Sequence, residues 1–291
     1  MKLTGRRQSS NVEDRRGMST GAKAGIGGIG AIIVAALFAW ISGGDPMQAV
    51  MQGVQEQMAQ KTETVGEQNF TEEEQELAKM SSQILASTED VWAEVFKQNG
   101  MGEYSSPTLV LFSNSVQSAC GNATAAVGPF YCSGDQKLYV DLSFFTQMKR
   151  QLGVEGNTFA YAYVIAHEIG HHVEYLTGTL NKAHQAMSQT SKTQANQISV
   201  RLELLADYYA GVWAHYEDAM NHSMEYGDLE KGLELAKAIG DDWLQKKAQG
   251  RATPESFTHG TSEQRKRWLK RGYETGNMST TTFNVQNYND L

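Results

Sequence analysis

The stretch VIAHEIGHH, residues 164–172, places three histidines and a glutamate directly after an apolar run. On a helix, His167 and His171 lie one turn apart, so their side chains project from the same face. Two imidazoles at this spacing can occupy neighbouring corners of a tetrahedral zinc site, and Glu168 lies beside the ion, where it can take a proton from an activated water. Two ordinary surface histidines on an amphipathic helix are the alternative. The stretch therefore predicts a buried helix that carries part of a metal site.

The segment LELLAD, residues 202–207, contains a second pair at helical spacing. Glu203 and Asp207 are four residues apart in an otherwise apolar run. Carboxylates on a buried helix face are costly unless they bind something. We therefore predict that Glu203 is the third ligand of one zinc ion per chain, and that Asp207 accepts a hydrogen bond from the outer nitrogen of a ligand histidine. An ordinary ion pair with Arg201 or Lys192 is the alternative.

The segment FTHGTSEQR, residues 257–265, predicts the start of a helix. Thr261 and Gln264 have the spacing of a capping box. His259 lies just before this start, where it can stabilise a developing oxyanion, or where it can be a structural residue that caps or packs the turn. Arg265 is expected to lie near the site and is the next candidate for the oxyanion role.

Composition bounds the class of protein. The chain has 291 residues, of which 40% are hydrophobic and 20% charged, and this is ordinary for a globular protein. The net charge of −8 argues against nucleic acid as a partner, because nucleic-acid binding favours a basic face.

The first part of the chain has the pattern of a membrane anchor. Residues 1–23 hold six basic and two acidic side chains, and residues 24–44 hold none. Because about 20 apolar residues span a bilayer, we interpret 1–23 as a basic cytoplasmic arm, 24–44 as a transmembrane anchor and 45–70 as a polar linker. The positive-inside rule then places residues 71–291 on the periplasmic side of an inner membrane. A core helix or a cleaved signal peptide are the alternatives.

The remaining pattern predicts an α+β domain over residues 71–291, with a small antiparallel sheet against several helices. A hairpin turn at 133–136 separates two of the strands. The predicted strands are 108–112, 127–132 and 137–141, and the predicted helices are 71–99, 142–152, 157–177, 193–219, 228–249 and 261–275.

The chain has two cysteines, Cys120 and Cys132. In an oxidising compartment they can form a disulfide. Two unpaired buried thiols are the alternative, and spacing alone does not decide, because a bridge also needs Cα atoms within about 7 Å.

Long segments of the chain resemble the bacterial neutral zinc metallopeptidases of the YpfJ type, which are membrane-anchored. The segments are GPFYCSGDQKLYVDLSFF (128–145), AHEIGHHVE (166–174), RLELLADYYAGVWAH (201–215) and FTHGTSEQRKRW (257–268). The order of the motifs is more distantly similar to membrane endopeptidases of the HtpX and CAAX-processing kind. The resemblance implies a zincin-like fold of the gluzincin type.

The resemblance also implies roles for individual residues. It assigns zinc binding to His167, His171 and Glu203 and the general-base role to Glu168. In the family that the chain resembles, cysteines stand in place of Tyr208 and near residue 280, which leaves Cys120–Cys132 as the only possible bridge in this chain.

The predicted function is that of a membrane-anchored zinc metallopeptidase that acts on peptides or proteins. An edge strand within residues 127–141 is expected to hold the peptide by strand addition. Two alternatives stay open. One is a zinc-stabilised, non-catalytic anchored scaffold or adaptor, and the other is a zinc amidase acting on a non-peptide substrate such as cell-wall material.

Overall fold

Helices make up most of the chain that the computed structural model describes, which is residues 1–17, 70–153 and 157–291. The α+β class predicted for the domain is confirmed. In chain order, the elements are β1 (Val12–Asp14), α1 (Glu72–Gln98), β2 (Thr108–Phe112), β3 (Ser115–Ser118), β4 (Gly121–Thr124), β5 (Phe130–Cys132), β6 (Lys137–Asp141), α2 (Ser143–Leu152), α3 (Thr158–Leu176), α4 (Thr179–Ser188), α5 (Lys192–Asn221), α6 (Asp228–Ala238), α7 (Asp241–Gln249) and α8 (Ser262–Thr275).

The main sheet is mixed, so the prediction of an antiparallel sheet is wrong. Its strand order is β1-β2-β6-β5, with β1–β2 and β2–β6 parallel and only β5–β6 antiparallel. Strands β2 and β6 are each buried at four consecutive residues. Such continuous burial is typical of a parallel strand covered on both faces. Strands β3 and β4 form a separate hairpin.

The first 17 residues pack against the rest of the described chain and are not a separate arm. Strand β1 pairs with β2, with Val12 opposite Leu109. The backbone amide of Lys2 donates to the carbonyl of Ser223 at 2.8 Å. A chain that crosses a membrane once between residues 24 and 44 would hold these groups on opposite sides. The predicted single-pass topology, with a cytoplasmic arm and a periplasmic domain, is therefore wrong.

The basic side chains of this segment bind carboxylates of the same protein. Arg6 donates to Glu217 at 2.7 Å, and Arg7 donates to Asp90 at 2.6 Å. The positive charge that suggested a membrane-flanking arm is thus used within the fold.

None of the helices in the described ranges has the length and apolar character needed to cross a bilayer. The predicted anchor, residues 24–44, and residues 45–69 of the predicted linker lie outside the described residues. The fold class is corrected to an α+β protein with a small mixed sheet, and the predicted single-pass inner-membrane localisation is wrong, because residues 1–17 pack against the domain.

Helices α3, α5 and α8 cross at positions occupied by glycine. A Cβ atom at Gly170 of α3 would lie 2.8 Å from the Cα of Ala206 on α5. A Cβ atom at Gly211 of α5 would lie 2.2 Å from the carbonyl oxygen of Leu269 on α8. Both distances are shorter than real Cβ contacts, so the helices meet backbone to backbone. This close crossing brings the two motif-bearing helices to the same point.

The predicted helix over 228–249 is in fact two helices, α6 and α7. Its break lies at Gly240, where a Cβ atom would be 2.3 Å from the amide nitrogen of Ser262 at the start of α8. The backbone amide of Asp241 donates to the carbonyl of Gly260 at 2.9 Å. The start of α7 is therefore held against the loop that carries His259.

Candidate metal centre

The three predicted ligands come together where α3 crosses α5. His167 and His171 lie on α3, whose N-terminus is capped by Asn157. The Nε2 atom of His167 is 3.3 Å from one carboxylate oxygen of Glu203, and the Nε2 atom of His171 is 3.6 Å from the other. One donor atom from each of the three side chains lies within 4.8 Å of the other two. The arrangement can hold one metal ion.

Each histidine of this trio is held by a carboxylate on its outer nitrogen. His167 Nδ1 donates to Asp207 at 2.8 Å, and His171 Nδ1 donates to Glu174 at 2.9 Å. These hydrogen bonds leave both Nε2 lone pairs directed at the centre. Burial disfavours the charged rings, but the carboxylates raise the pKa of His167 to about 10 and that of His171 to about 9. Both imidazoles are therefore strongly basic, and a metal ion bound at the centre would displace the proton from each Nε2.

Asp207 is the hub of a buried network behind His167. It receives two hydrogen bonds from Arg265, at 2.8 and 2.9 Å, and one from the hydroxyl of Tyr163 at 2.6 Å. Burial opposes ionisation, but the charges of Arg265 and His167 hold the pKa of Asp207 well below its ordinary value. Asp207 therefore stays ionised and orients the ring. The guanidinium of Arg265 contacts Asp207 rather than standing free in the pocket.

The donor set fits zinc better than it fits other common metals. Two imidazoles and one carboxylate are ordinary zinc ligands, whereas calcium and magnesium prefer oxygen atoms alone. Burial raises the pKa of Glu203, but the positive charge of His259 and the hydrogen bond of His167 lower it well below its ordinary value. Glu203 is therefore available as an anionic ligand.

Glu168 lies beside this centre without belonging to the trio. It lines the pocket in front of the trio and is only partly buried. Burial raises the pKa of its carboxyl above the ordinary value, while the neighbouring histidines and the backbone amide of Tyr131 act to lower it. A glutamate with a raised pKa is suited to accept and return a proton.

His259 enters from the loop before α8. Its Nε2 atom is 3.9 Å from a carboxylate oxygen of Glu203, and its Nδ1 atom is 3.2 Å from Asp241. Asp241 also accepts backbone hydrogen bonds from Thr258 and His259, both at 2.7 Å. The first residue of α7 thereby fixes both the loop and the ring.

His172, the third histidine of the opening stretch, faces away from the centre. Its Nε2 atom donates to the carbonyl of Ser105 at 2.6 Å, so its Nδ1 atom accepts from the hydroxyl of Tyr131 at 2.8 Å. Burial lowers the pKa of His172, which favours this neutral form. His172 ties α3 to strand β5, which borders the pocket.

Strand β5 is also tied to the neighbouring hairpin. Cys120 and Cys132 are joined by a disulfide with Cα atoms 5.8 Å apart. Cys120 follows β3 and Cys132 ends β5, so the bridge fixes one end of the edge strand.

Two carboxylates of the site were missed by sequence reasoning. Glu174 lies three residues after His171, on the same helix, so its spacing was a usable signal. Asp241 follows Gly240 at a helix start, but only the fold brings it to His259. A carboxylate pairs with the outer nitrogen of every histidine directed at Glu203.

A helix with HExxH crossed by a helix with ExxxD, with their donors converging, is the arrangement of a zinc metallopeptidase. The family model described as "Putative neutral zinc metallopeptidase" matches residues 1–283, and this chain belongs to that family. The family implies zinc as the metal.

The relatives cover different shares of the chain. "Uncharacterized protein YpfJ" of Escherichia coli K12 is 42% identical over 285 residues, which is 95% of this chain and 96% of the relative. "Uncharacterized protein Mb2605" of Mycobacterium bovis is 41% identical over 182 residues, 60% of each chain. "Uncharacterized protein Rv2575" of Mycobacterium tuberculosis H37Rv has the same identity and coverage. No solved structure matches this chain.

Proposed function

We propose that this protein is a gluzincin-type endopeptidase that hydrolyses peptide bonds with water, using Glu168 as the general base and one zinc ion held by His167, His171 and Glu203. The observation that carries the proposal is that two glutamates of the site lie in different positions relative to the metal donors. Glu203 lies among the metal donors, whereas Glu168 lies next to them and lines an open pocket. Three protein ligands with one open position are typical of catalytic zinc, whereas structural zinc is closed by four.

When bound, zinc supplies Lewis-acid chemistry, polarising the scissile carbonyl and making water a stronger acid. Glu168 accepts the proton of the attacking water and then delivers it to the leaving amine. Asp207 and Glu174 keep His167 and His171 in the tautomer that binds metal.

His259 is proposed to stabilise the negative charge that develops on the carbonyl oxygen. In this role Nε2 faces the substrate oxygen as a hydrogen-bond donor. The carboxylate of Asp241 lies 3.2 Å from Nδ1 and fixes the ring. Both donor nitrogens of Arg265 that approach the site contact Asp207. Arg265 is therefore proposed to act through Asp207 and not on the oxyanion.

The substrate is proposed to lie along strand β5, which is at the edge of the main sheet. Phe130 and Tyr131 of this strand line the pocket together with Glu168. An extended peptide that adds to this edge gains backbone hydrogen bonds and passes the metal donors.

The variant Glu168→Gln tests the proposal. The amide cannot take the proton, so hydrolysis of a peptide library is expected to fall by about 10²–10⁴-fold while zinc content is unchanged. Glu263→Gln, the same substitution at an exposed glutamate of α8, is the matched control and should behave as wild type. Equal turnover by Glu168→Gln and wild type would reject Glu168 as the base. Zinc binding without any hydrolysis by wild type would favour the scaffold hypothesis.

A further inference from the structure

The pocket in front of the metal centre extends into an apolar chamber. The whole pocket has a volume of about 380 Å³. Helix α2 contributes Phe144, Met148 and Leu152 to its lining, together with Gln147. The three apolar residues are four apart, so they form one stripe along a single face of the helix. The wall that α2 presents is therefore mainly apolar, and Gln147 is its polar side chain among the described lining residues.

Another part of the lining is formed by the segment that leads into β5. Ala126 and Val127 line the pocket here. Gly128 has φ +77°, and even a Cβ atom there would come within 3.7 Å of the Phe144 ring. The ring thus lies close to this segment. Ile239, which follows α6, and Leu244, in the first turn of α7, add further apolar surface.

Among the described residues, the charged groups that line this pocket are those of the metal centre and its supports. The other ionisable side chains of this described lining are Tyr131 and Tyr163. Arg265 is already bonded to Asp207. A charged substrate group placed in the chamber would lose much of its hydration and, among the described lining residues, would meet no opposite charge outside the metal centre and its supports, which is unfavourable.

We infer that this chamber is a subsite for one large aliphatic or aromatic side chain of the substrate, so that the protein selects peptide bonds flanked by residues such as leucine, methionine or phenylalanine. The inference rests on the proposed function, because a scissile carbonyl at the metal centre places an adjacent side chain at the chamber. Consecutive Cα atoms are only about 3.8 Å apart. Burial of such a side chain corresponds to a preference over alanine on the order of 10–100-fold in kcat/KM.

The test uses the full-length, zinc-loaded chain and peptides that vary at the positions flanking one bond. Cleavage sites and rates are read by mass spectrometry. Val127→Glu places a carboxylate on the chamber wall, and Met220→Glu is the matched control. Both residues are apolar and 44% exposed, but only Val127 lines the pocket. The expected result is a loss of about tenfold or more on leucine and phenylalanine peptides for Val127→Glu alone.

A second measurement separates this inference from the proposed function. The same peptides are bound to zinc-loaded Glu168→Gln, with and without Val127→Glu, and Kd is measured. If wild type cleaves no peptide, the proposed function fails. The subsite is still supported if leucine and phenylalanine peptides bind more tightly than alanine peptides and if Val127→Glu weakens their binding. Equal cleavage or binding of alanine and leucine peptides would overturn the subsite, as would equal effects of Val127→Glu and Met220→Glu.

Discussion

Replacing Asp207 by asparagine should separate two functions of one buried carboxylate. Asp207 is fully buried, orients His167 and neutralises the buried cation Arg265. Asparagine keeps the shape but loses the charge, and one oxygen becomes a donor. Arg265 is then left without a counter-charge, and His167 keeps at most one neutral oxygen, which is a weaker acceptor than the carboxylate. The variant is expected to lose both stability and zinc affinity.

The two losses have different expected sizes. Breaking a buried ion pair by removing one partner costs about 3–5 kcal/mol of unfolding free energy. For a chain of this size, 1 kcal/mol corresponds to about 2–4 °C in Tm, so a fall of at least 6 °C is expected. Loss of the carboxylate behind a ligand histidine typically lowers metal affinity about 10–100-fold.

The double variant Asp207→Asn with Arg265→Met tells these effects apart. Removing the cation should restore much of the stability, because no uncompensated charge is left in the core. Zinc affinity should stay low, because His167 still lacks its carboxylate. Denaturation is measured on the chelator-treated protein so that metal binding does not contribute to Tm, and zinc affinity is measured by competition with a chromophoric chelator. Recovery of zinc affinity in the double variant would refute the proposed role of Asp207.

Three further predictions concern other parts of the structure. His259→Phe should lower kcat about 10²–10³-fold with little change in KM, zinc content or Tm; loss of zinc or of folding would make His259 structural. Gly170→Val should force α3 and α5 apart, cost about 1–3 kcal/mol and weaken zinc binding; wild-type zinc affinity would contradict this. Arg6→Ala leaves the buried Glu217 without its cation and should lower Tm by several degrees. Arg7→Ala removes a largely exposed ion pair and should change the unfolding free energy by at most about 1 kcal/mol. Similar urea-denaturation midpoints for the two variants would reject this distinction.

The helices that carry the site could be predicted because their signals are local. The spacing of His167 and His171, and that of Glu203 and Asp207, places each pair on one helix face without reference to any other element. A helix start was similarly readable, since the capping box predicted for Thr261 and Gln264 is present. Such signals depend on neighbours three or four residues away.

The sheet and the break at Gly240 could not be derived in the same way. Parallel pairing of β2 with β6 and of β1 with β2 depends on partners far apart in the chain. Strand β1 has only three residues, too few to show a period. Gly240 looks like an ordinary weak point in a helix, and its reason becomes visible only when the backbone of Ser262 lies against it.

The error over residues 1–17 has the same physical origin. A cluster of arginines before an uncharged stretch is a valid membrane signal when those arginines face lipid headgroups or water. Here their counter-charges are brought close by tertiary contacts, as when Arg6 meets Glu217 more than two hundred residues later. Glu217 is buried and also accepts a hydrogen bond from Ser87 of α1 at 2.6 Å. The start of the chain is thus a structural part of the domain that carries the metal centre. The arginines of this segment form ion pairs within the described structure. A count of charges along the sequence therefore could not determine the membrane topology.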